Sequence, residues 1–342
     1  MTMEIDIKSC DIEEIAGHMK AMGEPSFRGK QIFQWLYRGI TTFDEMSNLS
    51  KGLREKCQEH FFLYEPEILR KQISKEDGTI KYLWKLRDGN SVETVLMSYR
   101  HGNTVCISSQ VGCRMGCSFC ASTIGGKERD LTAAEMIDQV LFTQLDSGKE
   151  ISNIVLMGIG EPLDNFDQVL KFLHLVNMPE GMGIGMRHIS LSTCGLTERI
   201  DKLAEYRLQL TLSISLHAPD DETRSGIMPV NRHSNLNALM KSCRNYFQVT
   251  GRRISYEYAM IDGVNDSQAQ AEQLANLLRG QQCHVNLIPL NLVEESAFAP
   301  SPRVPAFQKV LEKRGIATTV RRRLGRDIDA SCGQLRRKEG KL

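Results

Sequence analysis

The sequence predicts an α/β protein built around a partial barrel, and three observations carry that expectation. From about residue 104 onward, short apolar runs alternate with amphipathic helical stretches, as parallel strands joined by helical crossovers do. The residues able to do chemistry gather just past the C-terminal ends of those runs, where an α/β barrel places its active site. The 342 residues suffice for one domain of barrel size with smaller appendages.

Taken in order, residues 11–63 read as three helices. Ile12, Ile15, Met19 and Met22 recur at helical spacing, and Gly23 is a stop. Ser26 precedes a second helix with Ile32, Phe33, Leu36 and Tyr37 on one stripe, and Ser50 starts a third with Leu53 and Cys57. Lysines and arginines on the outer faces suit an RNA-touching module and a plain helical cap equally. Residues 66–98 read as a three-stranded meander, with turns at Asp77-Gly78 and Asp88-Gly89. Its middle run alternates Ile80, Tyr82, Trp84 and Leu86. Strands are then expected at 104–109, 153–157, 188–193, 209–215, 254–260 and 285–290, with a further one at 317–321. Helices are expected at 132–147, 165–176, 197–205, 235–249 and 267–280. The division is a helical accessory domain at 1–64, a meander extension at 65–99, the core at 100–321 and a short tail at 322–342.

At 41% hydrophobic and 25% charged residues this is an ordinary folded chain, not a disordered one. The start lacks the basic-then-apolar pattern of a signal peptide, and no apolar run reaches about 18 residues. A cytoplasmic monomer without membrane attachment is expected. Ten cysteines without a secretion signal argue for a reducing compartment and for metal-binding or redox-catalytic thiols. The net charge of +1 hides an asymmetry: residues 313–342 hold ten Lys/Arg against three Asp/Glu, a local +7, and the rest carries −6. Arg321-Arg322-Arg323 and Arg336-Arg337-Lys338 can meet a phosphate backbone, or be a solvated tail.

The most informative run is Val111-Gly-Cys-Arg-Met-Gly-Cys-Ser-Phe-Cys120. Its Cys113, Cys117 and Cys120 stand as C-x3-C-x2-C. Three thiolates on one loop suit three irons of a [4Fe–4S] cluster and leave one iron open. A closed zinc site would want a fourth ligand, usually from a second knuckle, and none is apparent. Gly112 and Gly116 let the loop curl, and Phe119 can shield a cluster from water. Met157-Gly-Ile-Gly-Glu-Pro162 follows a strand, so Glu161 can accept from an ammonium group, or the run is a tight turn. Cys106, leading into the cysteine loop, and Cys332, among tail arginines, read either as reactive or as inert thiols.

The cysteine loop after the first barrel strand resembles that of the radical S-adenosylmethionine enzymes, where the open iron chelates the methionyl group. A wider set is more specific: Cys106-Ile-Ser-Ser-Gln-Val-Gly-Cys113, Met157-Gly-Ile-Gly-Glu-Pro-Leu163, Ser215-Leu-His-Ala-Pro219, Asn286-Leu-Ile-Pro289 and Asp327-Ile-Asp-Ala-Ser-Cys-Gly-Gln-Leu335. Together these resemble the RlmN/Cfr family of RNA adenosine methyl synthases, over nearly the whole chain. The resemblance implies a radical S-adenosylmethionine core at 100–321, shaped as a partial (β/α)6 barrel, with an RNA-contacting N-terminal domain. It implies a [4Fe–4S] cluster on Cys113, Cys117 and Cys120. S-adenosylmethionine would be lined by Gly160, Glu161, Ser192, Ser215, Leu216, His217 and Asn291. Cys332 would accept a methyl group from a first S-adenosylmethionine, and a second would be cleaved reductively on the cluster. Cys106 would release the product through a disulfide with Cys332, and Glu93 would be a proton acceptor.

The implied substrates are adenosine 2503 of 23S rRNA and adenosine 37 of certain tRNAs, with flavodoxin or ferredoxin as electron donor. Glu161-Pro162, Thr193-Cys194-Gly195 and Ile227-Met-Pro-Val230 resemble the C2-methylating branch more than the C8-methylating, antibiotic-resistance branch. Three other readings stay open: that C8-specific enzyme, a different radical enzyme acting on a small molecule or a peptide, and a non-catalytic RNA-binding protein with a structural Fe–S or zinc site. No role falls to Cys10, Cys57, Cys194, Cys243 or Cys283, although Cys194 is placed near the cofactor pocket.

Overall fold

The computed structural model describes residues 5–291, 297–328 and 335. A short strand β1 (Ile5–Asp6) runs parallel to β2 (Phe61–Phe62), and helices α1 (Ile12–Ala21), α2 (Arg28–Leu36) and α3 (Lys51–His60) lie between them. Asp11 and Glu14 form a reciprocal capping box at the start of α1, and Ser50 caps α3. Ser26 does not cap α2. Phe27 holds that position without a side-chain bond, because a tight turn from Pro25 already feeds the Arg28 N–H. Ile15, Met19, Ile32, Phe33, Leu36, Leu53 and Cys57 are buried and continuous with the main core. Across that seam, Lys8 Nζ meets Asp138 Oδ1 at 2.6 Å in the interior, and Lys171 meets Glu14 at 2.9 Å at the surface.

Strands β3 (Glu67–Ile73), β4 (Ile80–Lys85) and β5 (Ser91–Tyr99) form the expected antiparallel meander. It is not a separate layer. β5 pairs antiparallel with β6 (Gly102–Cys106), and β6 pairs parallel with β9 (Ile151–Leu156), so meander and barrel share one sheet. After β6 comes a small hairpin, β7 (Gln110–Gly112) with β8 (Lys127–Asp130), that brackets the cysteine loop. Then follow α4 (Ala133–Ser147), β9, α5 (Phe166–Asn177), β10 (Ile189–Thr193), α6 (Thr197–Glu205) and β11 (Thr211–Ser215). The chain continues through α7 (Asp221–Ile227), α8 (Leu236–Thr250), β12 (Ile254–Met260), α9 (Gln268–Leu277), β13 (Cys283–Pro289), α10 (Val304–Lys313) and β14 (Ala317–Val320).

The main sheet has ten strands in the order β14-β13-β12-β11-β10-β9-β6-β5-β4-β3, and every contact from β6 to β14 is parallel. Helices α7 and α10 and the β7–β8 hairpin have no counterpart in the sequence reading. α7 is short, and its inward position is taken by an arginine, Arg224, which breaks the apolar pattern. Among the described residues, no helix is long and apolar enough to cross a membrane.

Candidate active site

The C-terminal ends of β6 and of β9 through β13 open into two adjoining cavities. The larger, about 260 Å³, is lined by Cys113, Cys117 and Cys120 at one end and by Asn291 and Arg321 at the other. The smaller, about 140 Å³, holds Cys106, Tyr99 and Arg321 to Arg323. Met157, Ile288, Asn291 and Arg321 belong to both, so the two chambers share a wall.

The cysteine loop is fixed at its base. Cys113 N–H donates to the Gly126 carbonyl of the bracketing hairpin, and Ser118 N–H to the Ile227 carbonyl at the end of α7. Among the described residues, no three His, Cys, Asp or Glu side chains are placed to hold a single metal ion. The three thiols instead face one shared space, as a multi-iron cluster requires. Burial pushes the Cys113 thiol up to about 12 and Cys117 further still. Phe119 meets the His217 ring edge-on, with centroids 4.9 Å apart, beside the thiols.

Glu161 is 4% exposed and fully engaged. Its Oε2 accepts from the Cys194 N–H at 2.7 Å and its Oε1 from the Leu163 N–H at 3.0 Å. Burial raises its pKa, and these donors oppose the rise. The preceding turn is set by Gly160 at φ +108°, where a Cβ would lie 2.6 Å from the Gln110 side chain. Gln110 answers for that close approach: its Oε1 accepts the Glu161 N–H at 2.9 Å, and its Nε2 donates to Asp130 and Asp164. Asp164 also pairs with Lys127 at 2.9 Å and with Arg114, so the hairpin and the glycine turn form one charged network.

His217 is 5% exposed, with a left-handed backbone at φ +58°. Burial, aided by the nearby Arg224 charge, drops its pKa to about 3. The ring is neutral, its Nδ1 accepts from the Ala259 N–H at 2.9 Å, and its proton therefore resides on Nε2. Arg224 is wholly buried and ties three cavity loops together. It donates to the carbonyls of Cys194 (2.6 Å), Ser215 (3.2 Å) and Leu216 (3.0 Å) and to Asn231 Oδ1 (2.8 Å). Sequence reasoning missed Arg224, since an arginine in a short helix reads as surface.

Gly160, Glu161, Ser192, Ser215, His217 and Asn291 all line the larger cavity, as does Cys194. Leu216 does not: its side chain lies in the core and its N–H bonds the Glu257 carbonyl, because the strand end alternates inward and outward faces. Cys106 sits at the end of β6 opposite Val95 and Val155, packed with Met97 and Leu324. Glu93 is buried on the same face of β5 as Val95, where it pairs with Lys81 Nζ at 2.8 Å, and it borders neither cavity. Cys332 lies outside the described residues. The chain before it is anchored: Asp327 accepts from Ser74 Oγ (2.6 Å) and the Lys75 N–H (2.7 Å), and Gly325 N–H donates to Asp77 (2.8 Å).

Comparison with known proteins is consistent with this geometry. The Radical SAM superfamily model matches residues 107–275, and the ribosomal RNA large subunit methyltransferase N-terminal domain model matches residues 5–63. A probable dual-specificity RNA methyltransferase RlmN of Alkaliphilus oremlandii is 53% identical over 337 residues, 98% of each chain. Another, of Desulforamulus reducens, is 51% identical over 98% of this chain and 97% of its own. The crystal structure of a radical SAM methyltransferase from Sphaerobacter thermophilus superposes with a TM-score of 0.92 at 43% identity, covering 96% of this chain and 98% of its own.

Proposed function

The chain belongs to the RlmN family of dual-specificity RNA methyltransferases within the radical SAM superfamily, and on that premise we propose how its residues divide the reaction. It is an enzyme that methylates RNA and uses a [4Fe–4S] cluster and S-adenosylmethionine. Our reading is that it methylates C2 of adenosine in 23S rRNA and in tRNA through a methylated Cys332, with two S-adenosylmethionine molecules per turnover.

The observation that carries this reading is the pair of chambers joined through Met157 and Asn291, with three cluster-type thiols in one and Cys106 in the other. Cys113, Cys117 and Cys120 would hold the cluster, whose chemistry when S-adenosylmethionine is bound is one-electron hydrogen abstraction. Glu161, held by two backbone donors, would orient the methionyl amine with no side-chain rearrangement. Neutral His217 would keep a donor on Nε2 in the dry end of the cavity, and Leu216 would act only by positioning its neighbours. In the second chamber the Cys106 thiolate would attack the Cys332 sulfur, forming the S–S bond as the S–C bond to the product breaks, with the released carbon keeping the electron pair and taking a proton. Glu93 would take the proton, with Lys81 holding its charge in place. We also assign the RNA-contacting part to 1–64, the meander to 65–99, the core to 100–321 and the methyl-carrying tail to 322–342. A cytoplasmic monomer reduced by flavodoxin or ferredoxin completes the reading.

The test is anaerobic turnover of the iron-reconstituted protein with S-adenosylmethionine, a reductant and a 23S rRNA fragment or tRNA, followed by mass spectrometry of the nucleosides. 2-Methyladenosine from both RNAs is expected. 8-Methyladenosine would overturn the regiochemistry, and no methyladenosine with an intact cluster would overturn the substrate.

A further inference from the structure

The outer face of α2 has no part in the roles above. The inner face is settled: Ile32, Phe33 and Leu36 are at most 1% exposed and belong to the core. The other side carries Phe27, Gln31 and Trp35 at four-residue spacing, with Arg28 and Arg38 towards its two ends. Phe27 is 59% exposed, the highest value for a large apolar side chain among the described residues. A single exposed ring would mean little.

This ring is part of a pattern. The Arg28 guanidinium lies over Phe27, 4.9 Å from the ring centroid, and the Arg38 guanidinium lies over Trp35 at 4.7 Å. Two such stacks within residues 27–38 stand against roughly one per 70–80 residues in folded proteins generally. Both are braced from the side. Arg28 Nη1 donates to Gln31 Oε1 at 2.7 Å, and Trp35 Nε1 donates to Asn48 Oδ1 at 2.6 Å. The Arg38 N–H donates to the Trp35 carbonyl at 3.0 Å, which fixes the turn that carries Arg38 back over the indole. Trp35 is half-buried against the core, and the exposed Arg38 is the outer layer of that stack. Residues 25–43 hold Arg28, Lys30 and Arg38 and no Asp or Glu, so the face is positive throughout.

We propose that the outer face of α2 is a stacking platform for unpaired bases of the RNA substrate, other than the base that reacts. The inference rests on the RNA-methylating reading above and deepens it by naming a contact face and its chemistry. Splayed bases stack on aromatic rings and on arginine planes, and the positive charge attracts the backbone that carries them. A guanidinium already held over a ring has lost its rotamer freedom before the RNA arrives, so ordering it on binding costs little. The base gripped here is not the target, because no residue of 5–63 lines either cavity. Stacking tolerates any base. One platform can therefore serve loops of different sequence, as an enzyme with two kinds of RNA substrate requires.

The experiment is equilibrium binding of the full, cluster-loaded chain to tRNA and to a fully paired RNA duplex, each over a salt series. Phe27→Leu keeps the apolar bulk and Arg38→Lys keeps the charge, and each removes a plane. Each is expected to weaken tRNA binding about 5-fold or more, the lower end of what one base stack is worth. The slope of log affinity against log salt should stay that of the parent, because no charge is lost. Duplex affinity, S-adenosylhomocysteine affinity and melting temperature should also match the parent. Phe27→Tyr retains the ring and should bind tRNA as the parent does. Parental tRNA affinity in both Phe27→Leu and Arg38→Lys overturns the platform and leaves the RNA reading intact. An equal loss on duplex and tRNA also overturns it, since that marks a backbone contact. A tyrosine variant as weak as the leucine one overturns it whatever either does to stability. A parent that binds neither RNA overturns the RNA reading itself.

Discussion

The two chambers are built by opposite rules. Around the glycine turn of the larger one, the charged and amide side chains are closely partnered: Glu161 by two backbone donors, Gln110 by a backbone donor and two carboxylates, Asp164 by two cations and Gln110. The smaller chamber is walled by soft apolar groups around Cys106 and by an arginine run in which the Arg321 N–H donates to the Leu287 carbonyl at 2.8 Å and Arg323 to the Leu290 carbonyl at 2.8 Å. The first arrangement suits a cofactor that returns to one pose on every turn. The second suits a larger ligand that enters and leaves. Rigidity is spent where geometry is needed, and the approach side is left adaptable.

The largest expected effect lies in a rigid ion pair of the meander, on strands β4 and β5 beside the smaller chamber but outside its lining. Lys81 and Glu93 are 0% and 3% exposed and meet at 2.8 Å. Lys81→Met takes the cation from a buried carboxylate and should destabilise the protein by about 3–5 kcal/mol. Adding Glu93→Leu should recover most of that loss, because an apolar pair tolerates burial better than a lone charge. Denaturant melts of the single and double variants test this, and a double variant no more stable than the single would show that the two groups are not coupled. Turnover of the double variant sharpens the comparison further: restored stability without methylation separates a chemical role of Glu93 from a structural one.

A smaller effect is expected at the rigid turn. Gly160→Ala puts a Cβ on a left-handed residue and within 2.6 Å of Gln110. The strain and the displaced Gln110 should together cost about 2–4 kcal/mol and lower the melting temperature. An alanine variant that melts with the parent would mean the turn yields, and that the cofactor end is softer than its hydrogen bonds imply.

These contrasts also explain what the sequence made legible. The barrel order and the thiol loop follow from local patterns: alternation of apolar runs with amphipathic helices, and three cysteines within eight residues. Strand ends came within a few residues of their positions, and Ser50, read as the start of the third helix, caps α3. What stayed hidden depends on long-range register. Glu257 reads as one polar residue in an apolar strand, and only its alignment with Ser215 of β11 sets it on the wall of the larger cavity. Arg224 looks like a surface arginine until Cys194, thirty residues upstream, is seen to accept from it. The ion pair of Glu93 needed the meander register that places Glu93 opposite Leu83 and Lys81 opposite Val95.

The last prediction probes the approach side directly. Arg322 is exposed and lines the chamber of Cys106, next to Arg321 and Arg323. An exposed guanidinium at the mouth of this chamber contributes mainly long-range attraction to a phosphate backbone. Arg322→Ala should leave the melting temperature and the affinity for S-adenosylhomocysteine unchanged, since it touches neither the core nor the rigid turn. It should weaken RNA binding and lower the slope of log affinity against log salt by about 1, the signature of one lost phosphate contact. The loss should be similar for 23S rRNA fragments and tRNA, because a phosphate contact carries no base information. A salt slope equal to that of the parent would place the RNA backbone elsewhere. A loss confined to one RNA would mean that Arg322 reads shape rather than charge, and the soft chamber would then be a selective surface rather than a merely permissive one.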